Sequence, residues 1–327
     1  MKLAVVLFNL GGPDSAEAVE PFLRNLFGDP AIIALPALAR KPLAWFIARQ
    51  RGPIARAIYD KIGGSSPIVA ETRAQADALD NVLTDAKCFI AMRYWHPFAD
   101  EAAAAVKAWG ADRIVLLPLY PQFSTTTTQS SFADWDRAAR RAGLSVPISR
   151  VCCYPTAEGF IAAEAQLIQN AFKDARRDMS YRLLLSAHGL PKHTVLRGDP
   201  YQRQVEATAR ALVDVLGIED LDWTVCYQSR VGPLEWIGPS TDSEIARAAA
   251  DGKGVIVAPI AFVSEHSETL VELDIEYAHL ANKVGVRDYR RVPTVGTQPQ
   301  FIAALAALVT EAGDRQGACT ACGWGKT

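Results

Sequence analysis

The chain has 327 residues, of which 50% are hydrophobic and 21% are charged. This balance is typical of a folded globular protein and excludes a long disordered or collagen-like segment. Lys and Arg number 34 against 36 Asp and Glu, so the net charge of −2 gives no electrostatic reason to expect a nucleic-acid partner. Six cysteines are too few for a disulfide scaffold and fit a reducing compartment. We therefore expect a cytoplasmic protein.

Short β-branched runs alternate with helical patterns along the chain. The first run, MKLAVVLFNL, imitates a signal peptide, but Gly11 and Pro13 follow in place of a cleavage site, so we predict a strand. Strands are predicted at residues 3–9, 88–94, 113–119, 148–153, 182–187, 223–227 and 255–263. Helices are predicted near residues 16–26, 71–83, 101–109, 131–142, 158–172, 202–216, 242–250, 267–282 and 298–312. This alternation predicts an α/β fold with parallel sheets covered by helices, and no run is long enough for a membrane span.

A break near residues 143–147 separates two similar series of strands and helices. Each series begins with an apolar strand that ends in a Gly-Pro turn, at residues 9–13 and 187–191. We therefore predict two similar doubly wound, Rossmann-like domains. Their bounds are 1–145 and 146–312, the last helix packs back towards the N-terminal domain, and residues 313–327 form a Cys-containing tail. Because ligands bind beyond the carboxyl ends of strands in such sheets, we expect the site in a cleft between the two halves.

The segment 264–282 is unusually acidic, with five carboxylates and no Lys or Arg. At about 100° per residue, one face of a helix through this segment would carry a row of glutamates. These are Glu265, Glu268, Glu272 and Glu276. A solvated acidic face is the simple alternative. However, His266 lies inside the row, and imidazole with carboxylate is a ligand set for divalent first-row metals and for proton transfer.

His188 ends a predicted strand and precedes Gly189. A lone histidine is usually structural, but this one stands at a strand-to-turn junction where a ligand would bind. A histidine can accept a proton or ligate a metal near neutral pH. If His188 faces the acidic helix, the two together would make one mixed metal and base site.

Two further polar clusters follow predicted strands. One is the hydroxyl-rich loop from Tyr120 to Ser131, which either caps the next helix or donates hydrogen bonds to anionic groups of a ligand. The other, Arg93 and Tyr94 with Trp95 and His96, suits a flat acidic ligand. Residues 31–51 mix apolar and basic side chains, which fits either a surface helix or a lip that contacts a membrane or a large apolar substrate.

Taken together, these segments resemble ferrochelatases over most of the chain. The matching stretches are residues 9–13 (NLGGP), 62–67 (IGGSSP), 93–97 (RYWHP), 120–122 (YPQ), 186–191 (SAHGLP), 198–201 (GDPY), 227–233 (YQSRVGP), 262–270 (FVSEHSETL) and 272–277 (ELDIEY). Each stretch alone would be weak evidence, but their number and order make the resemblance specific.

The resemblance implies a class II chelatase-like fold and insertion of Fe²⁺ into protoporphyrin IX, the last step of protohaem synthesis. The catalytic residues it implies are His188, Glu268, His266, Glu265 and Glu272, with Glu276 further along the acidic path. Of these, His188 and Glu268 are the metal ligands that the resemblance implies. The substrate-binding residues are Tyr59 and Trp236 on the porphyrin walls, Ser66 and Arg93 at the propionate end, and Tyr94 and Tyr120. Protoporphyrin IX and Fe²⁺ are then the partners. The apolar and basic segment 31–51 suggests peripheral contact with the inner face of a membrane.

One departure concerns cysteine. Cluster-bearing ferrochelatases have a cysteine in the loop after Tyr-Pro-Gln and three in the tail, whereas this chain has Thr125 in that loop and only Cys319 and Cys322 in the tail. A [2Fe–2S] cluster normally needs four cysteine ligands, so we expect none and no other tightly bound cofactor. Cys319 and Cys322 could still bind another metal or belong to a disordered tail. The alternatives for function are a chelatase of the same fold that acts on coproporphyrin or another tetrapyrrole or metal, and a haem or porphyrin carrier without catalysis.

Overall fold

A computed structural model of the chain describes residues 2–230 and 232–314. These residues form two compact units, one of residues 2–153 with 305–314 and one of residues 154–304. Each unit contains a four-stranded parallel sheet with helices packed on it. The predicted α/β class with parallel sheets is therefore confirmed. The predicted tail at 313–327, with Cys319 and Cys322, lies almost entirely outside the described residues.

The first unit is built on the strand order β2-β1-β3-β4. Its strands are β1 (Leu3–Asn9), β2 (Ala86–Met92), β3 (Arg113–Pro118) and β4 (Ile148–Arg150). Its helices are α1 (Val19–Phe27), α2 (Ala37–Asp60), α3 (Ile68–Asp80), α4 (Ala99–Trp109) and α5 (Thr128–Ala142). The apolar runs of β1 and β3 are buried on both faces, as expected for inner strands of a parallel sheet.

The second unit repeats this order as β6-β5-β7-β8. Its strands are β5 (Tyr181–His188), β6 (Trp223–Gln228), β7 (Gly254–Pro259) and β8 (Tyr289–Arg291). Its helices are α6 (Glu158–Lys173), α7 (Lys192–Leu196), α8 (Tyr201–Leu216), α9 (Thr241–Ala250), a π-helix (Glu268–Tyr277) and α10 (Ala278–Val284). The last helix, α11 (Pro299–Asp314), contributes residues to both units. The central strands β5 and β7 are buried almost throughout.

The acidic segment differs from the predicted α-helix over 267–282, because ten of its residues, Glu268–Tyr277, wind as a π-helix. Leu273 in this helix is fully buried in the core of the second unit, which fixes the helix on its sheet. Bonds from residue i to i+5 replace those to i+4, and such turns are frequent at functional sites. Glu265 precedes this helix, so the four glutamates do not share one helix face.

Within residues 2–230 and 232–314, no helix has both the length and the apolar content needed to cross a membrane. The longest helix, α2, includes most of the 31–51 segment. It contains Pro42 and Pro53 and leaves several large apolar side chains exposed, among them Leu38 and Phe46.

Candidate functional site

His188 and Glu268 meet at the carboxyl end of the second sheet. His188 is the last residue of β5, Glu268 is the first residue of the π-helix, and His188 Nδ1 lies 2.8 Å from Glu268 Oε2. A carboxylate can only accept, so Nδ1–H donates and Nε2 is left for another partner. The two side chains are 37% and 30% exposed. This edge of the sheet is where ligands bind in α/β folds.

The charges of this pair reinforce each other. Burial disfavours the imidazolium, but the Glu268 carboxylate outweighs it, so the pKa of His188 is raised. Burial likewise favours the neutral form of Glu268, but His188 and then His266 more than offset it and hold the pKa of Glu268 well below its usual range. The pair is therefore a stabilised carboxylate beside an unusually basic imidazole.

A second histidine lies behind this pair. His266 is buried, and its Nδ1 lies 3.0 Å from the carbonyl oxygen of Ser264. Because a carbonyl can only accept, Nδ1–H donates to it and Nε2 is directed towards Glu268 Oε2, 3.9 Å away. Both imidazoles therefore present a nitrogen to the same carboxylate oxygen.

Glu272 is held by donors from the end of β6. The amide N–H of Ser229 donates to Glu272 Oε1 at 2.8 Å, and Gln228 Nε2 donates to Oε2 at 3.0 Å. The Tyr277 hydroxyl also donates to Oε1, at 3.1 Å. Burial and the nearby Glu268 carboxylate raise the pKa of Glu272 against the effect of these donors.

The remaining two glutamates lie apart from this centre. The Glu265 carboxylate accepts hydrogen bonds from Arg291 Nη1 at 2.6 Å and from the Thr294 amide at 3.0 Å. Burial opposes ionisation, but Arg291 lowers the pKa of Glu265 below its usual value. Glu276 is exposed on the π-helix. The structure therefore groups Glu268 and Glu272 with the two histidines, while Glu265 forms an ion pair with Arg291, the last residue of β8.

Trp236 lies beside the turn that follows His188. It forms a β-bridge with Pro191, and a Cβ placed on Gly189 would lie 3.2 Å from its ring and 3.0 Å from the Gln228 carbonyl oxygen. Glycine is therefore needed there for close approach. The indole N–H of Trp236 is buried and has no hydrogen-bond partner among the described residues.

Two candidate residues of the first unit, Arg93 and Tyr94, converge on Asp29, just beyond α1. This buried carboxylate is 2.8 Å from Arg93 Nη2 and accepts hydrogen bonds from the Tyr94 hydroxyl at 2.9 Å and the Ser130 hydroxyl at 2.6 Å. Burial, followed by Asp29, raises the pKa of Tyr94 well above its usual value. Tyr120 is also buried, and its hydroxyl lies 3.5 Å from that of Ser131 in α5, so the predicted loop from Tyr120 to Ser131 ends in the first turn of this helix. Arg93 is thus already paired with a carboxylate of its own unit.

Arg93 also lines a cavity of about 440 Å³ in the first unit. Its charged lining residues are Arg24, Lys41, Arg93, Asp100, Asp134 and Arg137. The other two predicted residues of this unit are placed differently. Tyr59 is buried in an apolar cluster with Tyr94, and Ser66 lies against Gly12, where an added Cβ would be only 2.5 Å from the serine Oγ.

Several residues of these networks were missed by sequence reasoning: Asp29, Gln228, Ser229, Tyr277 and Arg291. Gln228 and Ser229 offered the clearest signal, because polar residues that directly follow an apolar strand lie at the ligand-binding edge of the sheet. Asp29 and Arg291 offered none, since their partners lie far away along the chain.

Comparisons with known proteins agree closely over the whole chain. A family model described as ferrochelatase matches residues 2–313. The ferrochelatase of Caulobacter vibrioides (strain NA1000 / CB15N) is 55% identical over 331 residues, covering 99% of this chain and 94% of the relative. The ferrochelatase of Phenylobacterium zucineum is 56% identical over 324 residues, covering 97% and 93% of the two chains.

Solved structures show a similar fold. SirB from Bacillus subtilis with Fe³⁺ has a TM-score of 0.58 at 15% identity and covers 95% of this chain and 96% of its own. The sirohydrochlorin chelatase SirB from Bacillus subtilis subspecies spizizenii in complex with cobalt has a TM-score of 0.59 at 14% identity, with 96% of each chain covered. At such low identities the likeness concerns the fold alone, and it agrees with the chelatase-like fold expected above.

Proposed function

The chain belongs to the ferrochelatase family, and we propose that it inserts Fe²⁺ into protoporphyrin IX with His188 and Glu268 facing the reacting macrocycle. The observation that carries this assignment is the 2.8 Å contact between His188 and Glu268 at the carboxyl edge of the second sheet. Metallation releases two pyrrole protons and replaces the water ligands of Fe²⁺ with four ring nitrogens. The reaction therefore needs a proton acceptor and a cation ligand close together.

His188 is suited to accept a pyrrole proton. Its Nδ1–H is engaged by Glu268, so the lone pair of the neutral imidazole is on Nε2, the atom left for the substrate. The Glu268 carboxylate stabilises the imidazolium that forms, which is the effect that raises the pKa of His188. Histidine general bases commonly have such a carboxylate partner, which orients the imidazole and stabilises its protonated form.

Fe²⁺ would be handled by the same pair. Ionised Glu268 and neutral His188 offer one oxygen and one nitrogen donor, a combination that suits first-row divalent metals. A protonated His188 has no lone pair on Nε2, so it cannot ligate Fe²⁺ and hold a pyrrole proton at once. We therefore place metal transfer to the ring before proton capture by His188. The second pyrrole proton passes to Glu272, whose pKa is raised by burial and by the nearby Glu268 carboxylate.

The porphyrin-binding residues are proposed on the same basis. Trp236 offers an aromatic surface next to the His188 turn, which suits the flat ring of a porphyrin. In the first unit, the cations around the 440 Å³ cavity suit the propionate groups of the ring. Ser66, Arg93, Tyr94 and Tyr120 stand with Tyr59 as the proposed residues there.

We propose that the protein works without a tightly bound cofactor and without a [2Fe–2S] cluster. The support is compositional: Thr125 replaces the loop cysteine, and Cys319 and Cys322 are two thiols where a cluster needs more. The metal content of anaerobically purified protein, measured by iron and sulfide analysis, tests this. An iron-to-sulfide ratio of one with a charge-transfer absorption spectrum would contradict the proposal.

A cytoplasmic protein with peripheral contact at the inner face of the membrane is the proposed location. Helix α2 exposes Leu38 (93%), Phe46 (59%) and Trp45 (48%) beside basic residues, a composition that suits an anionic lipid surface. We expect Phe46→Ser to lower the fraction of protein that sediments with vesicles of anionic and neutral phospholipid. Val82→Ser, which removes an exposed apolar side chain outside α2, serves as the control and should bind as the unmodified protein does.

Anaerobic incubation of the purified protein with protoporphyrin IX and Fe²⁺ tests the function. We expect the absorption spectrum of the free porphyrin to be replaced by that of haem. A carrier would bind the porphyrin and shift its absorption spectrum, but the porphyrin would remain free of metal. Parallel reactions with coproporphyrin, and with Co²⁺ or Ni²⁺, distinguish the same-fold alternatives, because a higher kcat/KM with one of them would reassign the substrate.

A further inference from the structure

Ser229 has a backbone conformation that serine rarely adopts. Its φ is 61°, and the other non-glycine residues with positive φ in the described part of the chain are Asp85 and Asp220. Both aspartates are exposed, whereas Ser229 is half-buried directly after β6. The left-handed region costs a residue with a Cβ about 1–2 kcal/mol. Such a residue persists where surrounding contacts impose it, and these contacts lie at the candidate site.

This conformation points two donors of one residue at the acidic pair. The Ser229 amide donates to Glu272 Oε1 at 2.8 Å, and its hydroxyl contacts Glu272 Oε2 and also Glu268 Oε2 at 3.2 Å. A hydroxyl has one proton, so it can donate to one of these carboxylates at a time. Glycine would adopt the same φ with less strain but would lose this shared donor.

Gln228 fixes the position of Ser229 relative to His188. The two parallel strands place Gln228 opposite His188, and the Gln228 amide donates to Glu272 Oε2 at 3.0 Å and to the Glu268 carbonyl oxygen at 3.1 Å. The side-chain carbonyl oxygen of Gln228, Oε1, accepts a hydrogen bond from the buried hydroxyl of Ser186 at 2.8 Å. Hydrogen bonds from the Gln228 side chain and the Ser229 backbone amide therefore hold the start of the π-helix at the end of β6.

We propose that Ser229 is a positioning residue for metallation, whose amide and hydroxyl hold Glu272 beside Glu268 and thereby fix the direction of His188 Nε2. This proposal rests on the proposed function, since the direction of Nε2 matters only if His188 acts on the substrate. The hydroxyl also gives Glu268 a second donor when its contact with His188 changes during turnover. Ser229 itself touches no reacting atom, so its effect is expected on kcat rather than on porphyrin binding.

Three substitutions separate the hydroxyl from the backbone. Ser229→Ala removes the hydroxyl and keeps the Cβ, Ser229→Gly removes the hydroxyl and relieves the backbone, and Ser229→Thr keeps the hydroxyl. We expect the Ala and Gly variants to lose about tenfold to a hundredfold in kcat, as small misplacements of catalytic groups do. The KM for porphyrin should change little, and Thr should recover part of the loss. Asp220→Gly relieves a similar strain far from the site and should leave kcat unchanged.

A Gly variant with the kcat of the unmodified protein would overturn the proposal, because the hydroxyl would then be dispensable. A loss that appears only in KM for porphyrin would also overturn it. A crystal structure of Ser229→Ala supplies a readout that needs no activity. We expect the Glu272 carboxylate to move and the contact between His188 and Glu268 to change its geometry. Side chains that stay in place would refute the positioning role of Ser229. If the unmodified protein does not metallate porphyrin, the proposed function fails, and this structural comparison still decides the positioning role.

Discussion

Glu164 in α6 offers a sharp test of the electrostatics of the second unit. Its side chain is fully buried, and neither carboxyl oxygen has a hydrogen-bond partner among the described residues. Burial, followed by repulsion from Glu265, raises the pKa of Glu164 well above its usual value. Since Arg291 keeps Glu265 ionised, Glu164 is the member of this pair that holds a proton in the folded protein.

The sign of the pH dependence follows from this shift. The unfolded chain releases the Glu164 proton near pH 4.3, whereas the folded chain retains it to a much higher pH. The contribution of protonated Glu164 to the free energy of unfolding is therefore fully present below about pH 4. This contribution is lost as the pH rises through the pKa that Glu164 has in the folded protein. At pH 8 the buried carboxyl should destabilise the protein. Leaving such a group without partners costs about 1–3 kcal/mol.

Two variants separate the parts of this penalty. Glu164→Gln cannot ionise but keeps an unpaired polar group, while Glu164→Met removes both and has a similar length and good helix propensity. We expect Gln to flatten the fall in stability between pH 5 and pH 8, and Met to add about 1–3 kcal/mol to the free energy of unfolding at pH 8. Urea unfolding at several pH values measures both. Glu158→Gln, at the exposed start of α6, is the control. A Met variant that is less stable at pH 8 would refute the reasoning.

Three further predictions concern the site and its support. His188→Ala should abolish metallation while porphyrin still binds, which stopped-flow absorption and fluorescence titration measure separately; near-normal turnover would remove His188 from its role. Glu268→Gln should slow metallation strongly and move the acidic limb of the pH–rate profile to lower pH, because the carboxylate raises the pKa of His188; an unshifted limb would assign that limb to another group. Arg291→Met should destabilise the protein by about 3–5 kcal/mol at pH 7, since Glu265 and Asp274 lose a partner that is only 12% exposed; chemical unfolding checks this, and a loss below about 1 kcal/mol would show that water or other groups replace the guanidinium.

The fold could be predicted from the sequence where local pattern and burial agree. Doubly buried strands such as β5 and β7 are continuous apolar runs, so they and the helices between them stand out. Strand β8 was not predicted, because it has only three residues and two of them are arginines. Helix α2 was predicted only as an alternative, since Pro42 and Pro53 would ordinarily interrupt a helix and here fall inside it.

The site could be anticipated as far as strand-end rules reach. His188 follows a recognisable strand, and the acidic segment follows another strand of the same unit, so their meeting at one edge is predictable. The π-helical winding could not be foreseen, because the same residues also satisfy an α-helical pattern. The roles of Ser229 and Asp29 depend on contacts between residues tens of positions apart, and composition gives no measure of such contacts.

Because the segment Glu268–Tyr277 winds as a π-helix, chain length is itself a determinant of this site. Removing a single residue between Leu273 and Tyr277 would let the segment return to ordinary winding while Leu273 keeps its place in the core. Residues beyond the deletion would then keep their orientation to the sheet, whereas the same deletion in an α-helix would turn each of them by about 100°. Insertions and deletions in this stretch therefore change the winding, and with it the directions of the carboxylates, without changing a single amino-acid type. Relatives that differ in length here should be compared by geometry and not by alignment alone.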